Sequence, residues 1–311
     1  MTDKTGSKNK GQKLSDDIPS DQNGLDYNFK YNYSEFSQIK EQGEYNFYGI
    51  IYDATFPEQE PNNAILPGNN QPLPKYSCII KLIDQNTNCL TCNNSNFNDN
   101  IITLIIKGNE KENLPYIHRI GDIIRVHRGL YSPKKKRSVY LNILKGNQFK
   151  GSWCIFSLED QKNDPYSCSH QTFTFESQDI KYIQSFRKWG QTYLALKNSL
   201  IYNKQKNLSD RLNEGSDNDL LVQVVKKVEL DDQIILYIQD ETDGCQLHTY
   251  KYYDFIKEGD LIRVRNYKIF NKESLIINEY GNILKIPQNS NVYKTIIMAL
   301  ANKLKAIQTK K

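Results

Sequence analysis

No apolar run in this 311-residue chain approaches the roughly 18 residues of a membrane-spanning helix. The N-terminal MTDKTGSKNKGQK also lacks the apolar core of a signal peptide, so a soluble, intracellular protein without a membrane partner is expected. Histidine is scarce, with four residues (118, 127, 170 and 248), and HExxH, Walker and GxSxG patterns are absent. The acid pairs Asp217/Asp219 and Asp231/Asp232 stand without a metal signature or a partner base and read as turn markers or acceptors for base edges. The expectation is therefore a protein that is not an enzyme and carries no metal or cofactor. Six cysteines without a secretory signal argue for reduced thiols rather than a disulfide scaffold. Cys89 and Cys92 form a CxxC, but a structural zinc site needs a second tight pair, and Cys168-Ser-His170 is a poor one. Free thiols in a polar loop are the preferred reading.

Tyrosine, by contrast, is abundant: 21 residues beside 12 Phe and 2 Trp. Its ring offers a flat apolar face with a polar tip, which suits half-wet strands and stacking surfaces. The net charge of +5 is modest but unevenly spread. Residues 119 to 150 hold nine Lys or Arg (119, 125, 128, 134, 135, 136, 137, 145 and 150) against one acid, Asp122. Such a local basic surface points to a polyanionic partner.

Residues 1–29 are polar, with almost nothing to bury, and are expected to be a disordered tail. Residues 46–56 read as a strand. The Pro/Asn/Gly-rich residues 57–75 read as a long loop. Residues 76–84, 101–107, 121–130 and 138–144 supply four more strands, with a short helical segment near NEKENLPYI between the third and fourth. That order matches an OB-fold barrel, placed at 30–158. From about 216 to 311 it returns in compact form, in DLLVQVVKKVEL, QIILYIQD, CQLHTYKYY, GDLIRVRNYKIF and ESLIINEYGNIL. The phrase IGDIIRVHRG at 120 recurs as EGDLIRVRNY at 258, 138 residues further on. An Asp closes the second strand of each copy, Asp84 and Asp240. The fold class is thus dominated by β-structure: two tandem OB barrels, a linker at 159–215 with a helix at about 178–200, and a C-terminal amphipathic helix at about 291–308.

Strand alternation puts Ile124 and Val126 on one face and Arg125 and His127 on the other. Ile262 and Val264 likewise oppose Arg263 and Arg265. Each barrel is therefore expected to show a cationic pair on its outer surface. OB barrels bind oligonucleotides with the face of strands two and three and with the loops after strands one and four. The loop after the fourth strand carries Tyr131 and then Lys134, Lys135, Lys136 and Arg137, a ring for a base beside charge for phosphate. The same KKKR run would serve as a nuclear localisation signal.

In order along the chain, FYGIIYDATFP, YSCIIKLID, LPYIHRIGDIIRVHR, GSWCIFS, FRKWG, VELDD and EGDLIRVR resemble the alpha subunit of the ciliate telomere end-binding protein, related to the protection-of-telomeres proteins. The likeness runs from about Lys30 to Ile307. It implies two OB folds that clamp the G-rich single-stranded 3' overhang in the nucleus, at telomeres, protecting chromosome ends and regulating access of telomerase. Lys81, Asp217, Asp219, Arg263, Arg265 and Tyr280 match DNA-contacting positions of the family. Tyr76 and Arg125 lie in matching segments, and Tyr131 and Tyr140 are candidates on chemistry alone. A carboxylate accepts from the N1 and N2 donors that guanine displays together, so Asp217 and Asp219 are candidates for guanine preference. EQE after ATFP, Gln233 and Glu279 depart from the family pattern. The family also continues into a third OB fold that docks a beta subunit, which makes a beta-type subunit or telomerase-associated proteins the implied protein partners. This chain reads either as the DNA-binding half of a longer protein or as a short paralogue. Two alternatives stay open: a general single-strand binder, and an OB-fold module that docks proteins.

Overall fold

The computed structural model describes residues 30–60, 75–86, 101–133, 137–143, 151–170, 173–195, 207–210 and 219–308, except the side chains of 210, 251, 278–280, 304 and 306–308. The expected tail at 1–29, the CxxC at Cys89, the lysines 134–136 and Asp217 lie outside these residues. All elements that follow belong to one compact unit, Tyr31–Lys311.

A 3-10 turn at Phe36–Gln38 precedes β1 (Gly43–Ala54), the short β2 (Glu58–Gln59), β3 (Tyr76–Ile83), β4 (Ile102–Gly108), β5 (Ile123–Ser132) and β6 (Ser138–Ile143). The ring β1-β3-β4-β6-β5 closes through β1–β5, with β4–β6 its parallel step, which is an OB barrel. Beyond β5 the sheet extends through β7 (Ser152–Phe156) and β8 (Ser167–Cys168). The helix α1 (Ser177–Leu194) follows. The second barrel comprises β9 (Asp219–Glu229), β10 (Gln233–Gln239), β11 (Gly244–Tyr250), β12 (Leu261–Asn271) and β13 (Ser274–Lys285), closed in the order β10-β11-β13-β12-β9. The helix α2 (Asn291–Gln308) packs Val292 and Leu300 inward. The segment at NEKENLPYI makes only one 3-10 turn, Lys111–Asn113. Pro115 disfavours the α conformation at the residue before it, and Leu114 is extended at φ −98°, ψ 150°.

Three devices appear in both barrels and explain the repeated phrases. Asp84 accepts from the Phe36 N–H at 2.8 Å, and Asp240 accepts from the Leu208 N–H at 2.6 Å. Each thereby holds a 3-10 turn whose apolar side chain is at most 1% exposed. The Gly-Asp turn comes second. Gly121 and Gly259 sit at φ +98° and +86°, a region open to Gly without strain. The Gly121 N–H donates to Ile51 O at 2.7 Å and the Ile51 N–H to Asp122 O at 2.8 Å. Gly259, Val224 and Asp260 repeat both bonds at 2.8 Å. The turn thus seals the bulge of the first strand, at Tyr52 in β1 and at Val225 in β9. Third, Arg128 and Asn266 take positive φ, 55° and 51°, at matching bulges of β5 and β12.

Candidate nucleic-acid interface

The outer face of the first barrel follows from register. Ser77, Ile79 and Lys81 of β3 lie opposite Lys107, Ile105 and Thr103 of β4, and these opposite Asn142, Tyr140 and Ser138 of β6. Their alternate neighbours Cys78, Ile80, Leu104, Ile106, Val139 and Leu141 fill the barrel, so this row faces outward. Ile79 (39% exposed) and Leu130 (44%) extend an apolar strip through Ile105 and Tyr140. Lys81 and Lys107 flank it, the latter paired with Glu60 at 2.8 Å. The face therefore offers apolar area for base planes with cations at its border.

At one edge it meets the second barrel. Asp53 lies across the ladder from Lys81, and Asp219 across from Arg265. The two cross-strand pairs face each other. Arg265 Nη1 reaches Asp53 Oδ1 at 2.6 Å, while its Nε donates to Asp219 Oδ1 at 3.3 Å. Arg263 grips Asp219 Oδ2 through Nη2 at 2.6 Å and Nε at 3.1 Å, and its Nη1 lies 3.7 Å from Asp53. Lys81 Nζ stands 3.4 Å from Asp53 on the other side. Burial disfavours the charged form of Arg265, but Asp53 and then Asp219 outweigh it and raise its pKa. Three cations against two carboxylates leave one net positive charge. Exposure is graded, from Arg263 at 2% through Arg265 at 27% to Lys81 at 46%. Asn282 donates to Ala54 O at 3.0 Å and ties the barrels beside this network.

Three expected cations, Lys81, Arg263 and Arg265, thus converge on Asp53, which sequence reading missed, and the two arginines join the expected Asp219 to it. Its signal was an acid inside the apolar run of β1, on the strand paired with the Lys81 strand. Tyr140 shares the outer face with Lys81. Tyr76, half-buried, lies at the far end of β3 against Gln59. Tyr280 lies within β13, its side chain outside the described ones, and Asp217 lies outside altogether.

Other expectations are corrected. Arg125 and His127 do not form an exposed pair: they are 2% and 5% exposed. Alternation does turn them away from their own barrel, but a second layer covers them. Arg125 Nη1 pairs with Asp179 of α1 at 3.1 Å. His127 stacks against Tyr31 with ring centroids 4.0 Å apart, and its Nε2 lies 2.9 Å from the Tyr33 hydroxyl. Tyr33 and Tyr48 each donate to Asp179 Oδ1 at 2.6 Å. Burial alone would raise the Asp179 carboxyl, but the Tyr33 and Tyr48 hydrogen bonds, with Arg125, hold it below its usual range. Arg263, expected exposed, is covered by the first barrel. Tyr131 is core, 7% exposed and edge-on to Tyr45, because it points inward where its neighbour Leu130 points out.

Aromatic surface also gathers on the second barrel. Tyr237 (37%), Tyr250 (41%) and Phe270 (66%) are exposed, with Phe270 5.8 Å from His248. Tyr250 stacks on Tyr252 at 5.3 Å, which stacks on Phe56 of the first barrel at 4.8 Å. The Tyr237 position was legible in QIILYIQ, where alternation turns it outward. Phe270 could not be read, since it sits at a bulge that breaks the β12 alternation.

Residues 28–199 match the family model described as telomeric single stranded DNA binding POT1/CDC13, and residues 203–298 match that of the telomere end-binding protein alpha subunit OB2 domain. The chain is 25% identical over 299 residues to the telomere-binding protein 51 kDa subunit of Euplotes crassus, covering 88% of this chain and 62% of that one. It is also 25% identical over 296 residues to the telomere-binding protein subunit alpha of Sterkiella nova, covering 87% and 56%. The chain thus spans less than two thirds of the length of these curated relatives. Among solved structures, fission yeast Pot1 with ssDNA aligns over 87% of this chain and 93% of its own at 14% identity, with a TM-score of 0.37.

Proposed function

The chain belongs to the telomeric single-stranded DNA binding POT1/CDC13 family, and from that premise we propose that it binds G-rich single-stranded telomeric DNA along the outer face of the first barrel and into the seam with the second. The observation that carries this reading is the network around Asp53, which joins Lys81 of one barrel to Asp219, Arg263 and Arg265 of the other. It makes one surface of two folds, apolar at Ile79, Ile105 and Tyr140 and cationic at its edge.

The roles follow from chemistry. Tyr140 and its aliphatic neighbours take base faces, and stacking in such grooves is worth roughly 1–3 kcal/mol per base. Lys81 and Lys107 neutralise phosphate. Arg265, held by two carboxylates yet partly open, is fixed in one orientation, and a fixed guanidinium fork suits the O6 and N7 acceptors of guanine. Asp219 already accepts three donors from the two arginines, so its first role is to aim them; direct acceptance from guanine N1 and N2 falls to its remaining lone pair or to Asp217. The protein acts by binding without a chemical step, in the nucleus at chromosome ends, where sequestering the overhang protects it and limits telomerase. A beta-type subunit is its proposed protein partner.

The test is fluorescence anisotropy with a G-rich T/G strand, a composition-matched scramble and duplex, at two salt concentrations. A 100-fold advantage for the G-rich strand, about 2.7 kcal/mol, is the expected result. Equal binding of all single strands would make the protein a general single-strand binder, and no binding would favour a docking module.

A further inference from the structure

Cys154 of β7 and Cys168 of β8 are direct cross-strand partners. The Ser169 N–H donates to Trp153 O at 2.9 Å, which makes 153/169 the hydrogen-bonded pair and 154/168 a non-hydrogen-bonded one. In such pairs the Cα atoms lie about 4.5 Å apart and the side chains come closest. That separation falls within the roughly 4.4–6.8 Å that a disulfide spans.

The environment favours a thiolate on one of them. The Cys168 thiol hydrogen-bonds to Cys154, burial opposes ionisation, and the Arg125 guanidinium supports it; together they hold the Cys154 thiol below its usual range. Arg125 Nη2 donates to Cys154 Sγ at 3.4 Å, and Asp179 anchors the same guanidinium. Both cysteines line a cavity of about 180 Å³ with His127, Ser169 and His170, and Cys168 is partly exposed. Cys78 and Cys245, in contrast, are buried in the two barrel cores.

We propose that Cys154 and Cys168 are a reversible dithiol couple, oxidised to a disulfide by a small peroxide that enters this cavity. The Cys154 sulfur attacks one peroxide oxygen; an S–O bond forms, the O–O bond breaks, and the departing hydroxide leaves as water with the thiol proton. The Cys168 sulfur then attacks the sulfenic sulfur, forming S–S and releasing a second water with its own proton. Two thiols lose two electrons and the peroxide gains them. A thiol reductant reverses the change. The bond would staple β8, and the segment leading from it into α1, to the barrel edge above Arg125.

The experiment exposes the full chain to hydrogen peroxide under native conditions, alkylates remaining thiols, and maps digested peptides by mass spectrometry without reduction. The expected product is a peptide pair joined at Cys154 and Cys168, two hydrogens lighter than the thiols and separated by dithiothreitol. In Cys168→Ser, Cys154 should persist as a sulfenic acid that dimedone captures. Recovery of both cysteines as alkylated thiols while Cys89 and Cys92 oxidise overturns the proposal, as does dimedone capture anywhere but Cys154.

Discussion

Arg125 and Arg263 hold the same place in the two barrels, in the same phrase, and each is 2% exposed. Their covers differ. Arg125 lies under the first barrel's own appendages, α1 and the Tyr31–Tyr33 segment, around Asp179. Arg263 lies under the other barrel, in a network whose far members, Arg265 and Lys81, reach solvent. One phrase thus yields a closed ion pair in one barrel and the root of an open surface in the other. An outward position on a strand is not a surface position until the second layer is known.

The sharpest way to break this comparison is to remove the two carboxylates in turn. Asp179→Ala strands the buried Arg125, which costs about 3–5 kcal/mol of stability; Asp53→Ala costs less, because Asp219 still holds Arg263 and Arg265. Urea unfolding should register both. Only Asp53→Ala should also weaken DNA binding, by tenfold or more, because it frees Lys81 and leaves Arg265 aimed by Asp219 alone; equal binding losses in the two variants would erase the distinction.

The Gly-Asp turns provide a second contrast. Asp260 pairs with Lys285 at 2.8 Å, whereas Asp122 accepts from the Leu158 N–H at 3.1 Å and the Tyr166 hydroxyl at 2.9 Å. Burial pushes the Asp122 carboxyl from 3.8 up to about 6, against the pull of Arg119. Because the folded value lies above the unfolded one, the folded state binds the proton more tightly. Its contribution to stability is complete below the unfolded value and is lost as pH rises through about 6. At about 1.4 kcal/mol per pKa unit, the fall is about 3 kcal/mol. Asp122→Asn should flatten it, and chemical denaturation between pH 4 and pH 7 measures the slope.

Adjacent aromatics on β5 and β6 sharpen the distinction between faces. Tyr140→Ala should lower affinity for single-stranded DNA by about 1–3 kcal/mol with stability nearly kept. Tyr131→Ala should instead empty part of the core and register in thermal unfolding. A fall in affinity for Tyr131→Ala after correction for folded fraction would place the wrong ring in the site. The smallest effect is expected for Arg265→Ala: a loss of about tenfold in affinity for the G-rich strand with the salt slope nearly unchanged, since its contact is to a base edge; a slope reduced by about one unit would move that contact to phosphate. Arg128→Ala, at an exposed residue lining the cavity beside Arg125 and His127 rather than the Asp53 seam, should leave affinity and slope unchanged.

Much of the architecture was legible because its devices are local. The Gly-Asp turns and the alternation of β5 and β12 act within a few residues or across one ladder, so their chemistry is written in the strand itself; Asp84 and Asp240 were legible only as a repeated strand ending, since the turns they hold lie 48 and 32 residues away. The linker helix was legible for the same reason: Ile183, Phe186 and Tyr193 of α1 recur at helical spacing and are buried. The short helical segment at NEKENLPYI was legible as well, and the proline restriction at Leu114 limits it to a single 3-10 turn. Asp53 escaped notice because nothing near it in the chain explains an acid among Ile, Tyr and Ala; its partners lie on another strand and on another barrel, Arg265 more than 200 residues away.

By itself the sequence determined two barrels, their strand order and, away from bulges such as that at Phe270, the direction in which side chains leave their strands, because steric alternation and turn chemistry are short-range. Only the tertiary structure decided which outward cations meet solvent, because α1 and the docking of the barrels deliver Asp179 and Asp53 from distant parts of the chain. Burial of a charge depends on that delivery: with its partner in place the cation stays folded inside, and without it the same strand face would have to stay wet.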